Sequence, residues 1–190
     1  MMAVDLGIDL LVGSTFVRRR VDSRIVNRSV LIGADGTAKA HYDKIHMFNA
    51  NVGDGRRYRE SDHFAAGDKM VLSETGGMRL GLTICYDLRF PQLYRALAKA
   101  GAGIIMVPSA FTFPSGRAHW HVLLRARAIE TGSFIIAPAQ CGTHADGRRT
   151  YGHALIVSPW GDVLAEAPTD GSDAAAGAND GFICADIDIT

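Results

Sequence analysis

Residues 79–107 constrain the fold more than any other part of the chain. Leu80, Leu82 and Ile84 alternate with Gly81, Thr83 and Cys85, the period-two pattern of a strand whose two faces meet different surroundings. Pro91 then opens a helix, at a position where its missing N–H matters least. Leu93, Leu97 and Ala100 give that helix an apolar stripe. Gly101 is suited to end it in the left-handed conformation, and 103–107 reads as a second short strand. Strand, helix and strand in this order make a right-handed parallel crossover. The pattern then repeats. Residues 118–131 predict a helix buried along Val122, Leu123, Ala126 and Ile129, with Gly132 at its end, and 134–137 predict the next strand. The chain is therefore expected to be α/β, with helices covering sheet faces.

Other strands surround this unit. Residues 8–12 form an apolar run, and 25–32 with 37–42 read as a hairpin around Gly33-Ala34-Asp35-Gly36. A polar, Gly-rich loop spans 46–68, and so long a loop in a compact chain is usually functional. Residues 153–157 and 163–166 predict a hairpin around Ser158-Pro159-Trp160-Gly161, 168–180 a surface loop and 182–187 a last strand. With no repeat or linker, 1–190 is read as a single domain. A core strand begins within ten residues of Met1 and another ends three residues before Thr190, which points to a fragment of a longer fold.

Composition narrows the function. Twenty basic residues balance twenty acidic ones, and no basic patch interleaved with aromatics suggests nucleic acid. No apolar run approaches the roughly 20 residues of a membrane helix, and Met1-Met2-Ala3-Val4-Asp5 lacks the basic start of a secretory signal. The three cysteines, Cys85, Cys141 and Cys184, are far apart. An odd count with no C-x-x-C pair fits a reducing, cytoplasmic setting. Asn27-Arg28-Ser29 lies inside an apolar run and is read as a chance sequon.

Cys85 ends a strand a few residues before a helix. A thiolate there is favoured by the positive end of the helix dipole, and ligands of α/β folds collect beyond the carboxyl ends of strands. Position alone leaves two readings open, a nucleophile or a buried structural cysteine. Cys141 and Cys184 lack that context and read as structural.

The local sequences carry more. Gly81-Leu82-Thr83-Ile84-Cys85-Tyr86-Asp87-Leu88-Arg89-Phe90-Pro91 resembles the nucleophile segment of the nitrilase superfamily, the carbon–nitrogen hydrolases. Tyr42-Asp43-Lys44-Ile45-His46 resembles its lysine motif and Arg59-Glu60-Ser61 its second-glutamate segment. Pro108-Ser109-Ala110-Phe111 and Ala118-His119-Trp120 are similar to its pocket segments, and Tyr151-Gly152-His153 with Pro159-Trp160-Gly161 to its late strands. The resemblance runs from about Leu6 to Ile189. Gln92 departs from it, since the family more often has Glu after the proline.

The resemblance implies a four-layer α-β-β-α sandwich, here incomplete at both ends, without the first strand and helix or the C-terminal tail. It implies Cys85 as nucleophile, Lys44 as the cation that favours thiolate and oxyanion together with the backbone N–H of Tyr86, and Glu60 as the group that holds Lys44. It implies no metal and no cofactor, and a homodimer, for which 93–100 offers an apolar face. The family's general base is a glutamate located before the matched region, and no Glu precedes Glu60. The acids before Lys44 are Asp5, Asp9, Asp22, Asp35 and Asp43. Two rival readings of the histidines stand beside this: a Cys85 dyad with His144 or His153, and metal binding by His119 and His121. The second is weakened because an i, i+2 pair on a helix faces apart and no third ligand is evident.

Residues 119–131 and 139–142 resemble most the branch that hydrolyses deaminated glutathione, an α-keto amide, with the ω-amidase branch acting on α-ketoglutaramate next. Both substrates carry carboxylates, for which Arg89 is the candidate partner or else a structural ion pair. Tyr86, Phe111 and Trp120 are the expected walls of the substrate pocket. The alternative from another class is a remnant that binds small amides or partners without turnover.

Overall fold

The structure is a computed structural model that describes residues 2–167 and 182–188. After a short helix α1 (Met2–Leu6), strands β1 (Leu10–Arg18), β2 (Ile25–Ile32) and β3 (Ala38–Asp43) form an antiparallel sheet in that order. A small hairpin follows, of β4 (Asn49–Asn51) and β5 (Arg57–Arg59). A second hairpin, β6 (Val71–Thr75) and β7 (Met78–Leu82), enters the main sheet. Helix α2 (Pro91–Lys99) leads to β8 (Ile104–Met106), and α3 (Phe113–Thr131) leads to β9 (Phe134–Ala137). β10 (Cys141–Thr143) pairs with β11 (Arg149–Tyr151), while β12 (Leu155–Val157) and β13 (Val163–Glu166) complete the main sheet. Its order is β13–β12–β9–β8–β7–β6. β7, β8 and β9 are mutually parallel, as two successive strand–helix–strand units require.

Alternation along the central strands divides the interior in two. Ile105, Ile135, Ala137, Leu155 and Val157 face the helices and pack with Leu93, Tyr94, Leu97, Trp120, Leu124 and Ala128. Leu80, Leu82, Ile84 and Ile104 face the other way and pack with Leu31 and Tyr42 of the three-stranded sheet. Three of the four expected layers are formed by these elements: helices, six-stranded sheet, three-stranded sheet. Gly101 closes α2 at φ 91°, as its sequence position predicts. Gly116 is required for a different reason. A Cβ there would lie 2.3 Å from Cβ of Tyr151, so α3 reaches β11 only through a residue without a side chain.

Several expectations are corrected. The helix expected at 118–131 begins at Phe113, and its buried face is Trp120, Leu124, Arg127 and Ala128. Val122 and Ile129, expected inside, are 68% and 57% exposed. The sequence offers two stripes, and the buried one contains an arginine. Arg127 is tolerated because its Nε donates to Leu88 O at 3.0 Å, Nη1 pairs with Glu130, and the guanidinium lies over the Tyr94 ring. The apolar face at 93–100 is not free for a partner subunit, since Leu93 and Leu97 are spent on the chain's own core. The loop at 46–68 contains the β4–β5 hairpin. Residues 182–187 form no strand, although their burial alternates and Ile187 packs on the second core. The loop expected at 168–180 lies outside the described residues. Among the described residues no helix is long and apolar enough to cross a membrane.

Candidate active site

β7 stops at Leu82, but the chain stays extended beside the next strand. Thr83 N–H donates to Met106 O at 3.1 Å and Cys85 N–H to Pro108 O at 3.0 Å. At Cys85 the backbone turns sharply, to φ 52°, and enters a 3-10 turn over Cys85–Arg89. A left-handed conformation is uncommon for a residue with a Cβ and is typically stored where surrounding bonds over-determine it.

Asp87 supplies those bonds. Its side chain is fully buried. Oδ2 accepts from Ile84 N–H at 2.9 Å and from Tyr42 O–H at 2.8 Å. Oδ1 accepts from His46 N–H at 3.0 Å and contacts His46 Nδ1 at 2.7 Å. One carboxylate therefore ties the cysteine turn to both ends of the segment that carries Lys44. Burial, and then the charge of Asp87, push the Tyr42 phenol far above its ordinary value, so it keeps its proton and donates.

Lys44 follows β3 directly, and its N–H donates to Asn27 O at 2.9 Å. Its side chain is almost fully buried, with Nζ 2.5 Å from Glu60 Oε2. Glu60 follows the β4–β5 hairpin, and the same Oε2 accepts from Phe48 N–H at 2.6 Å. A cation and an anion removed from water together need such direct pairing.

Cys85, Lys44 and Glu60 line one cleft of about 1150 Å³. Tyr86, Arg89 and Phe111 line it too, as do Asn27 and His63, which sequence reasoning did not single out. Arg56, beside the β4–β5 hairpin, donates to Asp146 O at 2.6 Å, joining that hairpin to the β10–β11 turn. The Arg89 guanidinium lies 5.8 Å from the Phe111 ring and 6.0 Å from the Tyr86 ring, with Nη2 3.1 Å from His119 Nδ1. Among the described residues no carboxylate pairs with Arg89 in the structural ion pair considered for it. Asn27 Oδ1 is buried without a hydrogen-bond partner among the described residues.

Trp120 is corrected from wall to support. It is fully buried, backs Phe111 at 4.8 Å between ring centroids, and donates from Nε1 to His153 O at 2.7 Å. The Cys–His alternatives are not assembled. His144 bonds Thr150 and His153 bonds Glu166, and neither lines the cleft. Cys141 and Cys184 are free thiols away from it. His119 and His121 do face apart, toward Arg89 and Glu166 respectively.

Comparison with known proteins gives the chain a family. The carbon–nitrogen hydrolase family matches residues 1–189. The deaminated glutathione amidase of Yersinia enterocolitica is 47% identical over 169 residues, covering 88% of this chain and 59% of that protein. The crystal structure of the Caenorhabditis elegans NitFhit protein superposes with TM-score 0.81 at 41% identity, covering 87% of this chain and 40% of that one. Saccharomyces cerevisiae Nit3, a member of branch 10 of the nitrilase superfamily, gives TM-score 0.80 at 30% identity, covering 90% and 59%. The chain thus spans about three-fifths of the length of the Yersinia relative.

Proposed function

Because this chain belongs to the carbon–nitrogen hydrolase family, the nitrilase superfamily, we propose that its cleft hydrolyses a small carboxylate-bearing amide of the deaminated glutathione type through a thioester on Cys85. The observation that carries the reading is the buried Lys44–Glu60 pair lining the same cleft as a cysteine held at a strained strand-to-helix turn. The relatives' name gives the substrate class its direction.

Each step has a residue. The Cys85 sulfur attacks the amide carbon, and the carbonyl electrons move to oxygen. Lys44 and the backbone N–H of Tyr86 receive that oxyanion, with Glu60 fixing the ammonium through Oε2. As the tetrahedral centre collapses, the C–N bond breaks and the amine leaves with the proton that the thiol gave up. Water then attacks the thioester, releasing the carboxylate and restoring the thiol. Arg89, beside the rings of Tyr86 and Phe111, takes the substrate carboxylate. No metal or cofactor enters this scheme.

A second reading, a ligand-binding protein without turnover, is favoured by one observation. The acids before Glu60 are Asp5, Asp9, Asp22, Asp35, Asp43 and Asp54, and none lines the cleft. Asp9 pairs with Lys39, Asp22 with Arg19 and Asp43 with Arg28. A general base for proton transfer is typically worth about 10²–10⁴ in rate. The test assays amide cleavage of deaminated glutathione and α-ketoglutaramate beside calorimetric binding of both. Cleavage of the first in preference to the second supports the proposal; binding without cleavage supports the second reading.

The proposal extends to a single domain over 1–190, a cytoplasmic setting and a homodimer. The subunit contact is moved from 93–100 to the outer face of α3, where Val122 and Ile129 are exposed and Trp160 is 85% exposed. Light scattering checks it, and a monomer at all concentrations rejects it.

A further inference from the structure

We propose that His121, His153 and Glu166 form a binding site for one divalent cation of the zinc class, at the edge of the main sheet and away from the cleft. The three residues come from α3, from the approach to β12 and from the end of β13. Their ligand atoms all lie within 4.8 Å of one another. Glu166 Oε1 stands 2.9 Å from His121 Nε2 and 2.6 Å from His153 Nδ1.

The imidazoles are pre-set. Tyr151 stacks on His153 at 4.3 Å and meets His121 edge-on at 6.1 Å. The backbone of His153 sits at φ 56°, a strained value for a residue with a Cβ, and its carbonyl is clamped by the Trp120 indole N–H. His153 Nε2 is buried and has no hydrogen-bond partner among the described residues. Nothing on that side fixes the ring, so its orientation serves the Nδ1 side, where Glu166 and His121 lie.

The metal class follows from the donors. Two imidazole nitrogens and one carboxylate oxygen suit Zn²⁺, Co²⁺, Ni²⁺ or Cu²⁺, whereas Ca²⁺ and Mg²⁺ take oxygen shells. With metal–ligand bonds of about 2.0–2.2 Å, tetrahedral ligands stand about 3.3 Å apart. The two imidazole nitrogens, within 4.8 Å of each other, must close toward that spacing, and Glu166 must swing out by well under 1 Å from its present bonds. It can do so, since its side chain is 34% exposed. The exposed side leaves a fourth position for water. None of the three residues lines the cleft, so the ion would staple α3 to the β12–β13 edge.

The test is calorimetric titration of Zn²⁺ into chelator-treated protein whose thiols have been alkylated, beside His121→Gln and Glu166→Gln. Glu166→Gln keeps side-chain shape, which guards against misfolding as the cause of any loss. One saturable site per chain is expected, weakened at least about tenfold in each variant, since losing a mere outer-shell partner already costs about 10–100-fold. Zn²⁺ should also raise the melting temperature of the unsubstituted protein alone. Equal affinity in all three proteins, absence of saturable binding, or equal competition by Mg²⁺ would each overturn the proposal.

Discussion

Asp87→Asn should destabilise the protein and slow it together, because the two oxygens of this buried carboxylate each face a backbone donor. An amide keeps one acceptor oxygen and replaces the other with a donor. Placed at the Oδ2 position, the NH₂ group meets Tyr42 O–H and Ile84 N–H; placed at Oδ1, it meets His46 N–H and His46 Nδ1. The phenol can rotate and the imidazole can change tautomer, so either side-chain partner adapts. The backbone N–H cannot. In both orientations one buried backbone donor is left facing another donor, at about 1–3 kcal/mol. For a chain of this length that is roughly 2–12 °C of melting temperature. If the lost bond is the one from Ile84, the turn that holds Cys85 at φ 52° loosens too, and kcat should fall with KM little changed. Thermal denaturation by circular dichroism and amide hydrolysis well below the transition read the two effects. A melting temperature and kcat both equal to those of the unsubstituted protein would refute the role given to Asp87.

Lys44→Ala should lower kcat by at least about 10²–10³, the usual effect of removing an oxyanion donor, and Lys44→Arg should not restore it, because a planar fork does not replace a point charge in a tight site; near-normal kinetics in either would count against Lys44. Cys141→Ala, away from the cleft, should leave turnover unchanged. Gly116→Ala should cost about 1–3 kcal/mol by forcing a methyl group against Tyr151, checked by urea denaturation; an unchanged midpoint would mean that α3 is not held against β11 as described. The hydrogen bond from Lys39, then that from Thr75, hold Asp9 down to about 2. The folded value lies below the ordinary one, so the stabilisation is complete above the ordinary carboxylate range and is lost as pH falls from about 4 toward 2. Asp9→Asn should therefore lower the melting temperature at neutral pH, with a gap that shrinks in acid; a gap independent of pH contradicts the linkage.

The parallel core was legible because it rests on local, periodic signals. The alternation of Leu80, Leu82 and Ile84, Pro91 at a helix start and Gly101 at its end each act through a few neighbouring residues. The buried face of α3 was not legible in that way. Arg127 is inside because of a carbonyl at Leu88 and a ring at Tyr94, partners that only the folded chain brings to it. Trp120 was expected as a wall of the pocket, but no local signal in the sequence says that Phe111 lines the cleft with Trp120 behind it. Cys85, Lys44 and Glu60 were readable only through resemblance, since each alone reads as an ordinary residue of its type. Asp87 lies inside the nucleophile segment, but nothing local marks it. Its four contacts span up to 45 positions, and no spacing rule exposes them. His121 was considered and set aside for want of a third ligand, and β12–β13 closing on α3 supplies two.

Covalent chemistry at Cys85 is the step on which the proposed hydrolysis depends. Incubating the protein with deaminated glutathione, quenching in acid and mapping the peptides by mass spectrometry tests this directly. An acyl group on the peptide that contains Cys85, removed by hydroxylamine and absent from the peptides of Cys141 and Cys184, is the predicted result. Amide cleavage that leaves no adduct and persists in Cys85→Ala would contradict it.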